Sequence, residues 1–163
     1  MSEPPSVPEP SAGRPATVND GVPPPRDAVE AILTDARRIA VVGASDDPGR
    51  PSHDVVRTLL EVGYDVVPVN PNARRVHGVP CVASLAEIEG RIDVVDVFRR
   101  AEHAPDIVRA AVGTGAWAVW LQLGVRSPEA RRIAGDCGLW FVEDRCIAAE
   151  ARRERHRCTG VDA

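Results

Sequence analysis

Short apolar runs bounded by turn residues, alternating with stretches of helical spacing, predict an α/β protein. The architecture expected is a Rossmann-like doubly wound parallel sheet, a single domain of about five strands. Two further observations support it. A chain of 163 residues, 44% hydrophobic and 27% charged, has the size and composition of one ordinary globular domain that builds a core without disulfides or metal. Its longest apolar run, Ala116 to Leu121, has the length of a strand and is far too short to span a membrane.

Residues 1–25 stand apart. They carry Pro4, Pro5, Pro8, Pro10, Pro15 and the run Pro23-Pro24-Pro25, with few large apolar side chains, so a disordered tail is expected there, followed by one domain over 26–163. Asp27 is placed to cap a short helix carrying Val29, Ile32 and Leu33. Arg38 to Val42 then reads as a buried strand ending at Gly43. Val55, Val56, Leu59, Leu60 and Val62 follow at helical spacing, with Gly63 as the stop. Asp65 to Val69 is the second strand, running into Asn70-Pro71. Ser84-Leu85-Ala86-Glu87 has the form of a capping box. Ile92 to Phe98 is a third strand, Ala104 to Val112 a helix and Ala116 to Leu123 a fourth strand. Ser127-Pro128-Glu129 opens a helix with serine as cap and proline in the first turn. Leu139 to Val142 is the fifth strand, and Ile147 to Arg157 a final helix.

Composition excludes several functions. The net charge of −4 argues against a general nucleic-acid binder. All 20 basic residues are arginine, which removes every mechanism that needs a lysine: a P-loop lysine, a Schiff base, a pyridoxal phosphate anchor. Genomic base composition accounts for the bias, but the exclusion holds regardless. The N-terminus lacks a basic start followed by an apolar stretch, and the cysteines form no dense framework. A cytoplasmic protein with reduced thiols is expected, binding neither membrane nor nucleic acid.

In a doubly wound sheet ligands bind beyond the carboxyl ends of the strands. That rule selects Gly43 to Ser52, Asn70-Pro71, Phe98-Arg99-Arg100, Gln122 to Gly124 and Asp144 to Cys146. In the first stretch, a glycine directly after strand one lets the backbone approach a phosphate. The helix that follows presents free N–H groups and a positive dipole end. Pro51 suits the first helical turn, Ser52 can donate a hydroxyl, and Arg50 brings a guanidinium to where a phosphate would sit. The plainer interpretation is an ordinary turn with a capping serine. A dinucleotide loop would read G-x-G-x-x-G, but Ser45 and Pro48 stand where the later glycines belong. Asn70 stands where an NAD site has an acid for the ribose hydroxyls, with Arg74 and Arg75 close behind.

Six motifs together resemble a known family. Gly43-Ala44-Ser45, Arg50-Pro51-Ser52, Val69-Asn70-Pro71, Asp96-Val97-Phe98-Arg99-Arg100, Trp120-Leu121-Gln122-Leu123-Gly124 and Asp144-Arg145-Cys146 look like the signatures of the small stand-alone CoA-binding domain proteins. These are similar to the CoA-binding domain of the succinyl-CoA synthetase alpha subunit. The resemblance spans roughly Ala36 to Glu150 and implies coenzyme A, or an acyl-CoA, as the small-molecule partner. By that resemblance Gly43, Ala44, Ser45, Arg50, Pro51 and Ser52 hold phosphates, Asn70 and Pro71 line the adenosine side, and Phe98, Arg99 and Gln122 to Gly124 complete the groove. The synthetase's phosphorylated histidine lies in a second domain. His53, His77, His103 and His156 have no matching context, so ligase activity is not carried over.

The remaining candidates have ordinary explanations. Cys146 is either a small packing residue or a thiol near the thiol end of CoA. Cys146, His156 and Cys158 lack a C-x-x-C pair, so no metal site is expected. Arg152, Arg153, Arg155 and Arg157 fit a solvated helix face, and Trp117 and Trp120 fit the core. No nucleophile–base or paired-carboxylate set can be placed. Binding without catalysis is therefore the expectation, with an NAD(P)-linked oxidoreductase or small transferase as the alternative. A regulatory domain reporting CoA status through the tail is a third possibility; its protein partner is unknown.

Overall fold

The computed structural model describes residues 26–160, with side chains from Val29 onward; the expected tail lies outside the described residues. The chain forms helix α1 (Arg26–Asp35), strand β1 (Arg38–Val42), α2 (Pro51–Val62), β2 (Asp65–Val69), a small hairpin of β3 (Arg75–Val76) and β4 (Val79–Pro80), β5 (Val94–Val97), α3 (Ala104–Val112), β6 (Ala118–Leu121), α4 (Pro128–Asp136), β7 (Trp140–Val142) and α5 (Ile147–Thr159). The five main strands are all parallel, in the order β2-β1-β5-β6-β7. This is the α/β doubly wound architecture expected from the alternating pattern, because parallel neighbours require helical crossovers.

Alternation along the strands sorts the core into two layers. Ile39, Val41, Val66, Val94, Trp120 and Val142 face α1, α2 and α5. Ala40, Val67, Val95, Val97, Val119 and Phe141 face α3 and α4. Both faces are thus buried, so the strands read as unbroken apolar runs. Trp117 and Trp120 are core residues, and the Trp120 indole N–H donates to the Arg145 carbonyl at 2.8 Å.

Local signals act largely as expected, with instructive departures. Gly63 ends α2 in the left-handed conformation at φ 113°, and its N–H donates to the Leu59 and Leu60 carbonyls. Ser127 caps α4, its hydroxyl oxygen accepting from the Ala130 N–H at 3.1 Å. The Ser84 box is not made. Its helix is a single 3-10 turn over Leu85–Glu87, Ser84 makes no cap bond, and Glu87 instead accepts from the Ala83 N–H at 2.9 Å. The first helix begins at Arg26, which puts Asp27 inside it and not at the cap. The β3–β4 hairpin has no counterpart in the sequence reading: its strands are two residues long, too short to show a period. The α5 arginines are fasteners. Arg152 donates to the Thr58 hydroxyl and Arg155 to the Glu61 carbonyl, tying α5 to α2, while Arg157 pairs with Glu30 of α1.

Candidate functional site

The strand order reverses direction between β1 and β5, so the loops leaving their carboxyl ends part company there and open a crevice. Gly43 stands at that point with φ 85°, its N–H donating to the Val69 carbonyl at 2.9 Å. A Cβ on Gly43 would lie 2.5 Å from the Phe98 carbonyl oxygen, which no side chain tolerates. Glycine is required for conformation and for space alike.

The loop after Gly43 is held by its own hydrogen bonds. Ser45 donates its N–H to the Ser52 hydroxyl oxygen at 3.1 Å, and its own hydroxyl accepts from the Asp47 N–H at 3.0 Å. Asp47 in turn accepts from the Gly49 N–H at 2.9 Å. Ala44 is buried, and its carbonyl accepts from the Asn70 side chain at 2.7 Å. The other end of that side chain accepts from the Asn72 N–H at 2.9 Å. Of the two residues read from sequence as facing a ligand, Ser52 thus accepts within the β1–α2 loop, while Asn70 joins the loops after β1 and β2. Pro51 occupies the first turn of α2 with Arg50 as its extended N-cap.

Gln122 also turns inward. It is buried, and its amide donates to the carboxylate of Asp96 on β5. Gly124 has φ 84° and donates its N–H to Asp144 at 2.8 Å; Asp144, itself at φ 56°, also holds Arg126 at 2.7 Å. These bonds to Gly124 and Arg126 keep the Asp144 carboxyl below the usual range. Cys146 is the half-buried N-cap of α5 and packs against the α2–α5 layer, as does Phe98.

Between the carboxyl ends of β1 and β2 and helix α3 lies a mainly apolar cavity of about 430 Å³, walled by Val42, Val69, Pro71, Leu85 and Ile107, with Arg99 at its rim. Pro71 and Arg99 were legible in the sequence. Leu85 and Ile107 were not, because only the fold brings their segments together. The hairpin supplies another feature missed by sequence: His77, at its tip with φ 50°, donates from Nε2 to the His53 carbonyl at 2.7 Å and pins the hairpin on the start of α2.

Charge distribution marks this edge. Arg50, Arg74, Arg99, Arg100 and Arg145 have no hydrogen-bond or ion-pair partner for their guanidinium groups among the described residues. All follow the carboxyl ends of β1, β2, β5 or β7. Arg132 on α4 is likewise unpartnered, but lies away from this edge. Among the described residues no group of three or more metal-type ligands occurs, and no helix is long and apolar enough to cross a membrane.

A glycine turn, a helix N-terminus and uncommitted arginines along one edge of the sheet, with Arg99 at the rim of a cavity, define a doubly wound domain suited to a nucleotide-like anion. The family model described as a CoA binding domain matches residues 37–152, and the chain belongs to that family. It is 40% identical over 124 residues to YneT of Bacillus subtilis, covering 76% of this chain and 92% of that protein. A hypothetical protein from Pyrococcus horikoshii superposes with a TM-score of 0.76 at 38% identity, covering 86% of this chain and 95% of that one. A 59-residue stretch is 42% identical to the alpha subunit of an ADP-forming acetate–CoA ligase from Pyrococcus furiosus, which is 36% of this chain but only 13% of that subunit.

Proposed function

We propose that the protein binds coenzyme A or an acyl-CoA across the carboxyl edge of its sheet and does so without catalysis. The observation that carries this reading is the set of unpartnered arginines in the loops at the carboxyl edge, the edge that also carries the Gly43 turn: charges left without protein partners suit a ligand with several phosphates. The pyrophosphate would rest on the Gly43–Ser45 backbone and the first turn of α2, beside Arg50. The adenosine end would take the cavity beside Asn70 and Pro71, with Arg99 at its rim. The pantetheine arm would pass Phe98 and Gly124 toward Cys146. Asn70 and Gln122 support this arrangement by holding the loops, the Asn70 amide donating to the Ala44 carbonyl and the Gln122 amide to Asp96.

The NAD(P) alternative is disfavoured by Ser45 and Pro48 in place of glycines and by Asn70 in place of an acid. Thermal unfolding discriminates the two. CoA at 100 times its dissociation constant should stabilise the fold by about 2.7 kcal/mol, with smaller effects from NAD and NADP at the same concentration. Equal or larger shifts with NAD overturn the CoA reading. Turnover of CoA thioesters by the purified protein would overturn the non-catalytic part alone.

A further inference from the structure

Asp96 sits one residue from the end of β5, paired in register with Val41 of β1 and Trp120 of β6. It is fully buried. Gln122 donates to its Oδ1, and its Oδ2 has no hydrogen-bond partner. A carboxylate in that position has two acceptor oxygens, only one of them served, and no counter-ion. The layer it faces is apolar: Val55 and Val56 from α2, Ile147 and Ala148 from α5, Val142 from β7. The titratable groups bordering that layer are the Cys146 and Cys81 thiols, the Tyr64 phenol and the His53 imidazole, and none is hydrogen-bonded to Asp96. Arg99 and Arg100 lie beyond the strand end, exposed to solvent.

The place matters as much as the burial. Val41 is two residues before Gly43, and Asp96 two before Phe98, whose carbonyl leaves no room for a Cβ at Gly43. Two residues of strand span about 7 Å. The carboxyl therefore lies about 7 Å behind the anion-binding turn, in a buried apolar layer that screens charge weakly.

We propose that Asp96 is a proton-linked positioning residue of the anion-binding turn: its neutral form admits a polyanionic ligand, and the bound ligand in turn draws a proton onto it. The inference rests on the CoA reading of that turn. Burial pushes the Asp96 carboxyl up to about 8, opposed by the hydrogen bond from Gln122 and then by the Val97 backbone, so the group changes charge in an accessible range. By linkage, a ligand that disfavours the ionised form must raise proton affinity by the same factor that ionisation weakens binding.

The test is calorimetric titration of CoA into the full chain at pH 8, in buffers of different ionisation enthalpy, with Asp96→Asn beside wild type. The terminal phosphate of CoA is already ionised at that pH and contributes little proton exchange. Wild type should take up about half a proton per CoA, and its affinity should fall by up to about tenfold per pH unit above 8. Asp96→Asn should bind CoA at pH 7 within about twofold of wild type, with no uptake at pH 8. Binding without proton uptake, or equal uptake by the variant, overturns the role of Asp96 and leaves the CoA reading standing. Absence of CoA binding by wild type at every pH overturns both. Should the variant fail to fold, infrared difference spectra of wild type at pH 8 decide. Added CoA should increase the band of a protonated carboxyl, and an unchanged band overturns the proposal.

Discussion

The two ends of the sheet treat charge differently. At the amino end, charged groups are matched. Arg38 pairs with Asp65 at 3.1 Å and donates to the Glu89 carbonyl at 2.6 Å, and Asp93 accepts the backbone N–H groups of Arg37 and Arg38 at 2.9 and 3.0 Å. At the carboxyl end Asp144 does hold Arg126 at 2.7 Å, but Arg50, Arg74, Arg99, Arg100 and Arg145 are unmatched among the described residues, and Asp96 is buried without a cation. Asp93 and Asp96 lie three residues apart on one segment, yet one closes a hydrogen-bond network and the other leaves an oxygen orphaned. A matched edge serves the fold. An unmatched one stores interactions for something that is not part of the chain.

The sharpest way to break this contrast is pH. Unfolded, Asp96 loses its proton near 4; folded, it holds it to about 8. Between those values the native state binds more protons, so its stability falls as pH rises, by up to about 1.4 kcal/mol per unit, and levels off above 8. Denaturant unfolding should show the advantage of Asp96→Asn over wild type widening from pH 4 to 8 and then staying constant. A constant difference throughout would show that Asp96 ionises normally.

Next in size is a pair of glycines. Gly43→Ala and Gly124→Ala both force alanine into positive φ, at 85° and 84°, but only at Gly43 does the new Cβ meet backbone, the Phe98 carbonyl oxygen at 2.5 Å. Gly43→Ala should cost about 3 kcal/mol and Gly124→Ala about 1 kcal/mol in chemical denaturation. Equal costs would mean that the crevice between β1 and β5 yields easily.

The arginine contrast gives a crossed experiment. Asp93→Ala removes an acceptor from two backbone N–H groups and should cost about 1–3 kcal/mol of stability with CoA affinity unchanged. Arg50→Ala should leave stability within about 0.5 kcal/mol and weaken CoA binding by about 1–3 kcal/mol, less in high salt. Loss of stability in Arg50→Ala, or of affinity in Asp93→Ala, would erase the distinction between the edges. Smallest of all, Arg132→Ala on α4 should change neither measurement beyond about 0.5 kcal/mol.

How much of this was readable in advance depends on the range over which each residue acts. Gly63, Ser127 and Pro128 do local work, and their turn chemistry announces it. The strands declared themselves because both faces of the sheet are covered, which makes each a continuous apolar run. Gly43 was recognisable by its place after the first strand. That its hydrogen is pressed against Phe98 was not, since the two are 55 positions apart. The place of Asn70 and Gln122 at the carboxyl edge was legible, but their bonds to Ala44 and Asp96 were not: an amide fits a ligand or a neighbouring loop equally well, and sequence does not say which neighbour packing supplies.

The sequence by itself determined the alternation of strands and helices, hence a parallel sheet, and the edge at which its functional loops gather. These follow from periodicity and short-range capping, which act within a few residues. The tertiary structure alone decided which arginines stay unpartnered, that the cavity of about 430 Å³ is closed by Leu85 and Ile107, and that Asp96 is buried behind the turn. Pairing, enclosure and desolvation are properties of neighbours in space. The chain brings those neighbours together from segments with no local reason to meet.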